Sequence, residues 1–314
     1  MGIKNLNRFL RTNCPKNIKQ ISLWDLKGKT IAIDASIYMY RFQTDGGLIE
    51  GMYQMISLMK YHKINMIFVF DGKPPPEKAE ILKQRREEKA AAEIKYREAK
   101  NKLMNCGENE DISDLEAEID ELRKKIVKIT STDIANVKKL LEYMGISYYE
   151  AESESDYVCA KLVQKKIAFA CLSEDMDMFV YGCPRVLRYL SLLKSTVVIY
   201  DVQNILKTLR LSLEDFKKIC ILAGTDYNIH DTKYDLNKTL RVYAKYTKNK
   251  LQCNDFYIWL KENYDESIDI EQLQYILDMF DLRTKTIHKQ LMVINRYDND
   301  GLKSYLFEYG FIFV

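Results

Sequence analysis

Acidic residues recur in this chain where a folded α/β sheet would end its strands. Asp34 closes the apolar run Thr30-Ile31-Ala32-Ile33, and Asp71 closes Met66-Ile67-Phe68-Val69-Phe70. Glu154-Ser155-Asp156 supplies two more acids. Glu174-Asp175-Met176-Asp177 follows an apolar run at 167–172, and Asp226 stands in Ala223-Gly224-Thr225-Asp226-Tyr227. Gathered in one place, carboxylates repel, raise one another's pKa and destabilise a fold unless cations neutralise them. Their hard oxygens suit Mg2+ or Mn2+, which keep several waters and bind phosphate oxygens. Two such ions about 4 Å apart can activate water and stabilise the leaving oxygen in phosphodiester hydrolysis. Spacing alone leaves a second reading open, in which each acid caps a helix or is a surface charge.

The elements that would position these acids follow from pattern and punctuation. Residues 37–61 show helical spacing, and Pro74, Pro75 and Pro76 break any regular element after the Asp71 strand. Residues 78–103 are rich in Lys, Arg, Glu and Ala and should be helical. Asn105-Cys106-Gly107 reads as a turn, and Ser113-Asp114-Leu115-Glu116 fits a capping box. Ile112, Leu115, Ile119, Leu122 and Ile126 then form a 3-4-3-4 stripe. The block reads as a helical hairpin inserted into an α/β domain. A helix at 133–145 ends at Gly145, and strand-like runs follow at 146–149, 167–172, 185–190 and 196–200, with a helix at about 154–166. Beyond about 203 the pattern is mainly helical. Strands alternating with helices predict an α/β fold, with a mostly parallel central sheet covered by helices on both faces. A site then lies beyond the carboxyl ends of the strands. The predicted divisions are 1–76 and 131–228 for the two halves of the core, 77–130 for the inserted helical hairpin and 229–314 for a helical C-terminal region.

Composition narrows the class further. The 314 residues are 47% hydrophobic, enough for a substantial core. No stretch approaches the roughly 18 uninterrupted apolar residues of a membrane span, so no membrane is expected as a partner. The N-terminus shows neither an apolar signal region nor the Ser or Thr of a myristoylation motif. The seven Cys form no CxxC pair and read as free thiols in a reducing, intracellular compartment. Three scattered His make a His-based metal site improbable. The net charge of +3 neither demands nor excludes nucleic acid.

Taken in order, several segments resemble the flap endonuclease branch of the XPG nuclease family. They are Met1-Gly2-Ile3, Ile33-Asp34-Ala35-Ser36, Phe68-Val69-Phe70-Asp71-Gly72-Lys73-Pro74-Pro75, Ser173-Glu174-Asp175-Met176-Asp177 and Leu222-Ala223-Gly224-Thr225-Asp226-Tyr227. The resemblance covers roughly residues 1–228 and implies a PIN-like 5′-nuclease fold. It implies Asp34, Asp71, Glu154, Asp156, Asp175, Asp177 and Asp226 as ligands of two Mg2+ ions, with Mn2+ able to substitute. Glu152 also fits an acid-x-acid pattern, but aligning Cys159-Ala160-Lys161-Leu162-Val163 with the family's following helix selects Glu154 and Asp156. Lys78 and Arg85 fall where the family places two basic residues at the base of its arch; seven apart on a helix, they would share a face and could polarise a phosphate. Gly2 and Tyr40 are implied as DNA contacts, Tyr40 by stacking on a base. The first arch helix is the plausible phosphate contact, because 78–102 holds nine Lys or Arg against five Glu whereas 108–121 holds eight acids and no base.

The chain departs from the family after Asp226. Where a Gly-containing helix-hairpin-helix turn is expected, Asp231-Thr232-Lys233-Tyr234-Asp235-Leu236-Asn237-Lys238 contains no Gly. Close backbone approach to phosphate normally wants Gly, so the family's monovalent-cation site is not expected here. Lys233, Lys238, Arg241, Lys245, Lys248 and Lys250 offer side-chain charge instead, with a stronger salt dependence. The Tyr40–Met52 connection leaves little room for a 3′-flap loop. Tyr305–Val314 shows neither a basic tail nor a sliding-clamp motif, so clamp binding is not expected. The expected activity is cleavage of branched (5′-flap) or nicked DNA in replication, repair or recombination, at a nuclear, viral or cytoplasmic site. A 5′ exonuclease, a PIN-like RNA-cutting enzyme and a non-catalytic DNA-binding scaffold are the alternatives.

Overall fold

The computed structural model describes residues 3–105, 113–228, 233–248, 253–288 and 292–312. Gly2, Cys106, Ile112, Asp231, Thr232, Lys250 and the acidic run up to Asp111 lie outside the described residues.

Two compact units emerge. The first comprises residues 1–35, 56–73 and 147–294. It contains an eight-stranded sheet built from β1 (Ile18–Ser22), β2 (Thr30–Asp34), β3 (Asn65–Phe70), β4 (Ser147–Glu150), β5 (Ala170–Leu172), β6 (Arg185–Ser191), β7 (Thr196–Asp201) and β8 (Met292–Val293), in the order β1-β7-β6-β5-β2-β3-β4-β8. The five strands from β6 to β4 run parallel, and β7, β1 and β8 pair antiparallel at the edges. The parallel strands are near-continuous apolar runs because both faces are covered. Leaving β2, the chain builds outward through β3 and β4, then returns to β2's other side with β5 and β6. That reversal makes the β2/β5 boundary the switch point of the sheet, beyond whose carboxyl ends open α/β sheets place their ligands.

Three sequence expectations need correction here. β1 (Ile-Lys-Gln-Ile-Ser) and the two-residue β8 went unread, because edge strands lack a continuous apolar signal. The span 37–61 is not one helix but two, Ala35–Thr44 and Leu48–Tyr61. Gly46, at φ +87°, turns the chain between them in a conformation that side chains with a Cβ disfavour.

The second unit comprises 36–55, 74–146 and 295–314. It carries the arch hairpin as helices Ala79–Asn105 and Ser113–Ile126. Leu115, Ile119, Leu122 and Ile126 pack against Ala92, Tyr96 and Ala99, so the apolar stripe joins the two helices. Where the first two helices of this region meet, a Cβ on Gly51 would stand 2.4 Å from the Phe42 ring, so only Gly permits the approach. Among the described residues no helix is long and apolar enough to cross a membrane.

Candidate active site

All seven implied ligands belong to the first unit. Asp34 is the last residue of β2 and Asp71 follows β3, so the parallel register delivers both at the same end of the sheet. Asp175 and Asp177 follow β5 on the other side of β2. Glu154 and Asp156 flank Ser155, which starts the helix Ser155–Gln164.

Hydroxyls and amides tie these pieces together. The Ser155 amide donates to Asp71 Oδ1 at 2.7 Å, and the Ser155 hydroxyl lies 3.4 Å from Asp34 Oδ1. The Ser173 hydroxyl donates to Asp34 Oδ2 at 3.1 Å and accepts from the Asp175 amide at 3.1 Å. The Asp177 amide in turn donates to Asp175 Oδ1 at 2.9 Å. Glu154 occupies the helix N-cap position but makes no cap bond; its Oε2 instead accepts from the Tyr227 hydroxyl at 2.6 Å. Tyr227 adjoins Asp226, so this bond brings the 224–228 turn to the cluster.

Gly72 explains how Asp71 reaches Ser155. Its amide donates to the Ser153 carbonyl, and a Cβ there would stand 2.1 Å from the Ala151 carbonyl oxygen. Only a residue without a side chain lets the two backbones come this close. In the sequence Gly72 stands out only as a family marker, because the close passage of residues 151–153 exists only in the fold. The sequence pattern does not mark Ser155, Ser173 and Tyr227 as site residues either.

Asp34, Asp156, Asp175 and Asp177 are buried, Glu154 and Asp226 are partly buried, and Asp71 is exposed. Their field is felt nearby. Burial, with Asp34 and Asp156 adding, pushes the Cys159 thiol up to about 11. Burial first, then Asp156 and Glu154, pushes the Tyr181 hydroxyl well above its ordinary value. Hydroxyl and amide donors orient carboxylates without cancelling their charge, and burying several such charges together is costly unless cations join them. The donor set is all oxygen and fits Mg2+ or Mn2+ in kind. Among the described residues, no three His, Cys, Asp or Glu side chains already close around one point as a formed coordination shell.

Glu152 stands apart. Its side chain is 63% exposed and its carboxylate lies 3.9 Å from His288 Nε2.

The XPG N-terminal domain model matches residues 1–92 and the XPG I-region model matches residues 145–226. Flap endonuclease 1 of Methanococcus aeolicus is 32% identical over 308 residues, covering 92% of this chain and 86% of that one. This chain belongs to the flap endonuclease branch of the XPG family. Flap endonuclease 1-A of Sorghum bicolor is 34% identical over 246 residues, and the match spans 62% of that longer protein. Among solved structures, flap endonuclease-1 from Methanococcus jannaschii superposes with a TM-score of 0.64 at 27% identity, covering 93% of this chain and 90% of that one. The catalytic core of Rad2 in complex with DNA substrate gives a TM-score of 0.70 at 22% identity, covering 99% and 96%, which bears on the fold. The α/β, mostly parallel architecture expected from the sequence is therefore that of the flap endonuclease and Rad2 nucleases.

Lys78, Arg85 and Tyr40 belong to the second unit. Lys78 is buried and sits in a 3-10 turn, Pro76–Lys78, just before the arch helix. The turn runs directly into that helix, which carries Arg85. Tyr40 is half-exposed and has the Lys89 ammonium 5.1 Å from its ring centre. Burial first, then Lys128 and Arg85, pushes Lys89 below its ordinary value. Lys89 thus joins Arg85 in one positive patch, a member the sequence reading missed.

In the C-terminal region, helix Leu236–Lys248 buries Leu236, Thr239, Val242, Tyr243 and Tyr246. Lys238, Arg241, Lys245 and Lys248 are exposed at 3-4-3 spacing, so they form one face. Lys233 is different. Its ammonium lies 2.5 Å from the buried Asp265 carboxylate and 3.2 Å from the Ser267 hydroxyl. Asp265 also accepts from the Tyr234 hydroxyl at 2.9 Å. Lys233 is thus engaged in tying the turn before this helix to the 265–267 loop.

Proposed function

We infer that this chain is a structure-specific nuclease that hydrolyses phosphodiester bonds of DNA carrying a 5′ flap or a nick. One observation carries the reading: Ser155 and Ser173 bind the carboxylates at the ends of β2 and β3 and the loop after β5, in a chain of the flap endonuclease branch. Asp34, Asp71, Glu154 and Asp156 would hold one divalent ion, and Asp175, Asp177 and Asp226 the other, directly or through water. Mg2+ or Mn2+ bound there supplies water activation and neutralises charge on the leaving oxygen. Ser155 and Ser173 orient Asp34, and Tyr227 orients Glu154, so the oxygens are set before substrate arrives. Lys78 and Arg85 are assigned to the scissile phosphate and Tyr40 to a neighbouring base. These assignments rest on their family positions.

The exposed face Lys238–Arg241–Lys245–Lys248 is assigned to duplex phosphates, in place of a Gly-containing hairpin and its monovalent cation. Among the described residues six cysteines are free thiols, which fits a reducing compartment. The test is a panel of labelled 5′-flap, nicked, gapped and RNA substrates with Mg2+. Cleavage at the flap base is the expected result. Preference for 5′ ends or for RNA would move the chain to an exonuclease or PIN-like activity. No cleavage with Mg2+ or Mn2+, alongside tight DNA binding, would leave a scaffold.

A further inference from the structure

One acid of the Ser173–Asp177 motif has no place among the implied ligands. Glu174 turns to Arg188, on β6. The Arg188 side chain is only 8% exposed, and a guanidinium is costly to bury without partners. Its partners are almost all in the acid loop. One terminal nitrogen donates to the Glu174 carbonyl at 2.9 Å and the other meets the Met176 sulfur at 2.8 Å. Its Nε lies 3.3 Å from Glu174 Oε2, a charge contact rather than a directed hydrogen bond.

The other Glu174 oxygen is also used. It accepts from the Tyr189 amide at 2.5 Å. Tyr189 holds φ +57°, a left-handed conformation that a bulky residue adopts only when its surroundings impose it. The distortion falls in the β6 bulge between Arg188 and Ser191. The Tyr189 ring centre lies 4.8 Å from the Arg188 guanidinium and 5.0 Å from that of Arg11. The Tyr189 hydroxyl accepts from the Asn7 side chain at 2.8 Å. Arg11 donates to Tyr200, whose hydroxyl donates back to Asn7 at 2.7 Å. A continuous network thus runs from the helix Leu6–Asn13 to the Glu174 carbonyl and the Met176 side chain.

We propose that Arg188 and Glu174 are positioning residues: their contact fixes the backbone of the acid loop and so sets where Asp175 and Asp177 present their carboxylates. The hydrogen bonds inside the loop, from the Asp175 and Asp177 amides, fix its local turn. Arg188 fixes that turn to the sheet. The strained bulge is explained by the same need, because it aims the Tyr189 amide at the second Glu174 oxygen. This inference rests on the metal-dependent nuclease reading above.

The test uses full-length Arg188→Gln, Arg188→Lys and Glu174→Gln. Half-saturating Mg2+ is measured twice, from the rise in Tm of DNA-free protein and from single-turnover cleavage of a 5′ flap. DNA affinity is measured separately in Ca2+. For Arg188→Gln and Glu174→Gln, half-saturating Mg2+ should rise by about tenfold or more, with DNA Kd within about twofold of wild type. Arg188→Lys keeps the charge but loses the fork to Glu174 and Met176, and should fall between. A merely structural role would lower Tm in the absence of metal and leave the Mg2+ dependence unmoved, which overturns the proposal. Should Arg188→Gln fail to fold, the partly exposed Glu174 decides: a folded Glu174→Gln with wild-type Mg2+ dependence also overturns it. Failure of the nuclease reading is distinguishable, because wild type itself would then show neither a Mg2+-induced rise in Tm nor cleavage.

Discussion

The amide of Ser155 donates to the carboxylate of Asp71 at 2.7 Å, across 84 residues of sequence. The same residue's hydroxyl reaches Asp34, so one serine joins the ends of two adjacent parallel strands to the start of a helix. Ser155→Ala removes the second bond and leaves the first, because the amide is backbone. The expected result is a folded protein with cleavage lowered by about tenfold and recovered in part at high Mg2+. Single-turnover rates across a Mg2+ titration check this. An unchanged rate at every Mg2+ concentration would remove Ser155 from the site.

Asp175 is the sharper test of the acid cluster. It is buried, it accepts from the Asp177 amide, and its own amide is held by Ser173. Asp175→Ala should cut the cleavage rate by roughly a thousandfold or more, since several kcal/mol of charge stabilisation is lost. Flap affinity measured in Ca2+ should persist. Residual cleavage near the wild-type level would show that the catalytic carboxylates are elsewhere.

Asp34 and Asp71 were legible because each closes an apolar run, and a strand buried on both faces writes such a run into the sequence; Glu154, Asp156 and Asp226 follow no such run and were named only by the family resemblance. The residues that connect these acids were not legible. Ser155 and Ser173 meet Asp34 from 121 and 139 residues away, and Tyr227 meets Glu154 from 73 away. A hydroxyl carries no periodic signal that names so distant a partner. Gly72 was visible as a motif residue, but its reason, the close passage of residues 151–153, exists only in three dimensions. β1 escaped notice because Lys19 and Gln20 interrupt its apolar pattern at a sheet edge. Lys233 and Arg241 are both exposed cations, yet Lys233 is committed to the buried Asp265 carboxylate and Arg241 lies on the outward face of its helix.

That difference gives a prediction about the DNA grip. Arg241→Ala with Lys245→Ala should weaken duplex binding and reduce the slope of log K against log salt by about two, one for each lost phosphate contact. Lys233→Ala alone should leave the slope close to wild type, because its ammonium already serves Asp265. Fluorescence anisotropy at a series of KCl concentrations measures both. A full unit of slope lost with Lys233→Ala would return that residue to the phosphate-binding face.

Asp265 links the same turn to pH. The Lys233 hydrogen bond first, then Ser267, hold its carboxyl well below the ordinary value of 3.8, against the opposing effect of burial. A carboxyl depressed in the folded state binds its proton more readily when unfolded. Its contribution to stability is therefore fully present above about pH 4 and is lost as pH falls through the folded value. Asp265→Asn removes the charge that Lys233 and the buried Tyr234 hydroxyl face. At pH 7 the cost should be about 2 kcal/mol, discounted from a fully buried pair because Lys233 is half-exposed. Urea denaturation of wild type and variant at a series of pH values tests the sign as well as the size. The gap between them should be constant from pH 7 to about pH 5 and narrow below about pH 4. A gap that widens on acidification would mean that the carboxyl is not held low by Lys233.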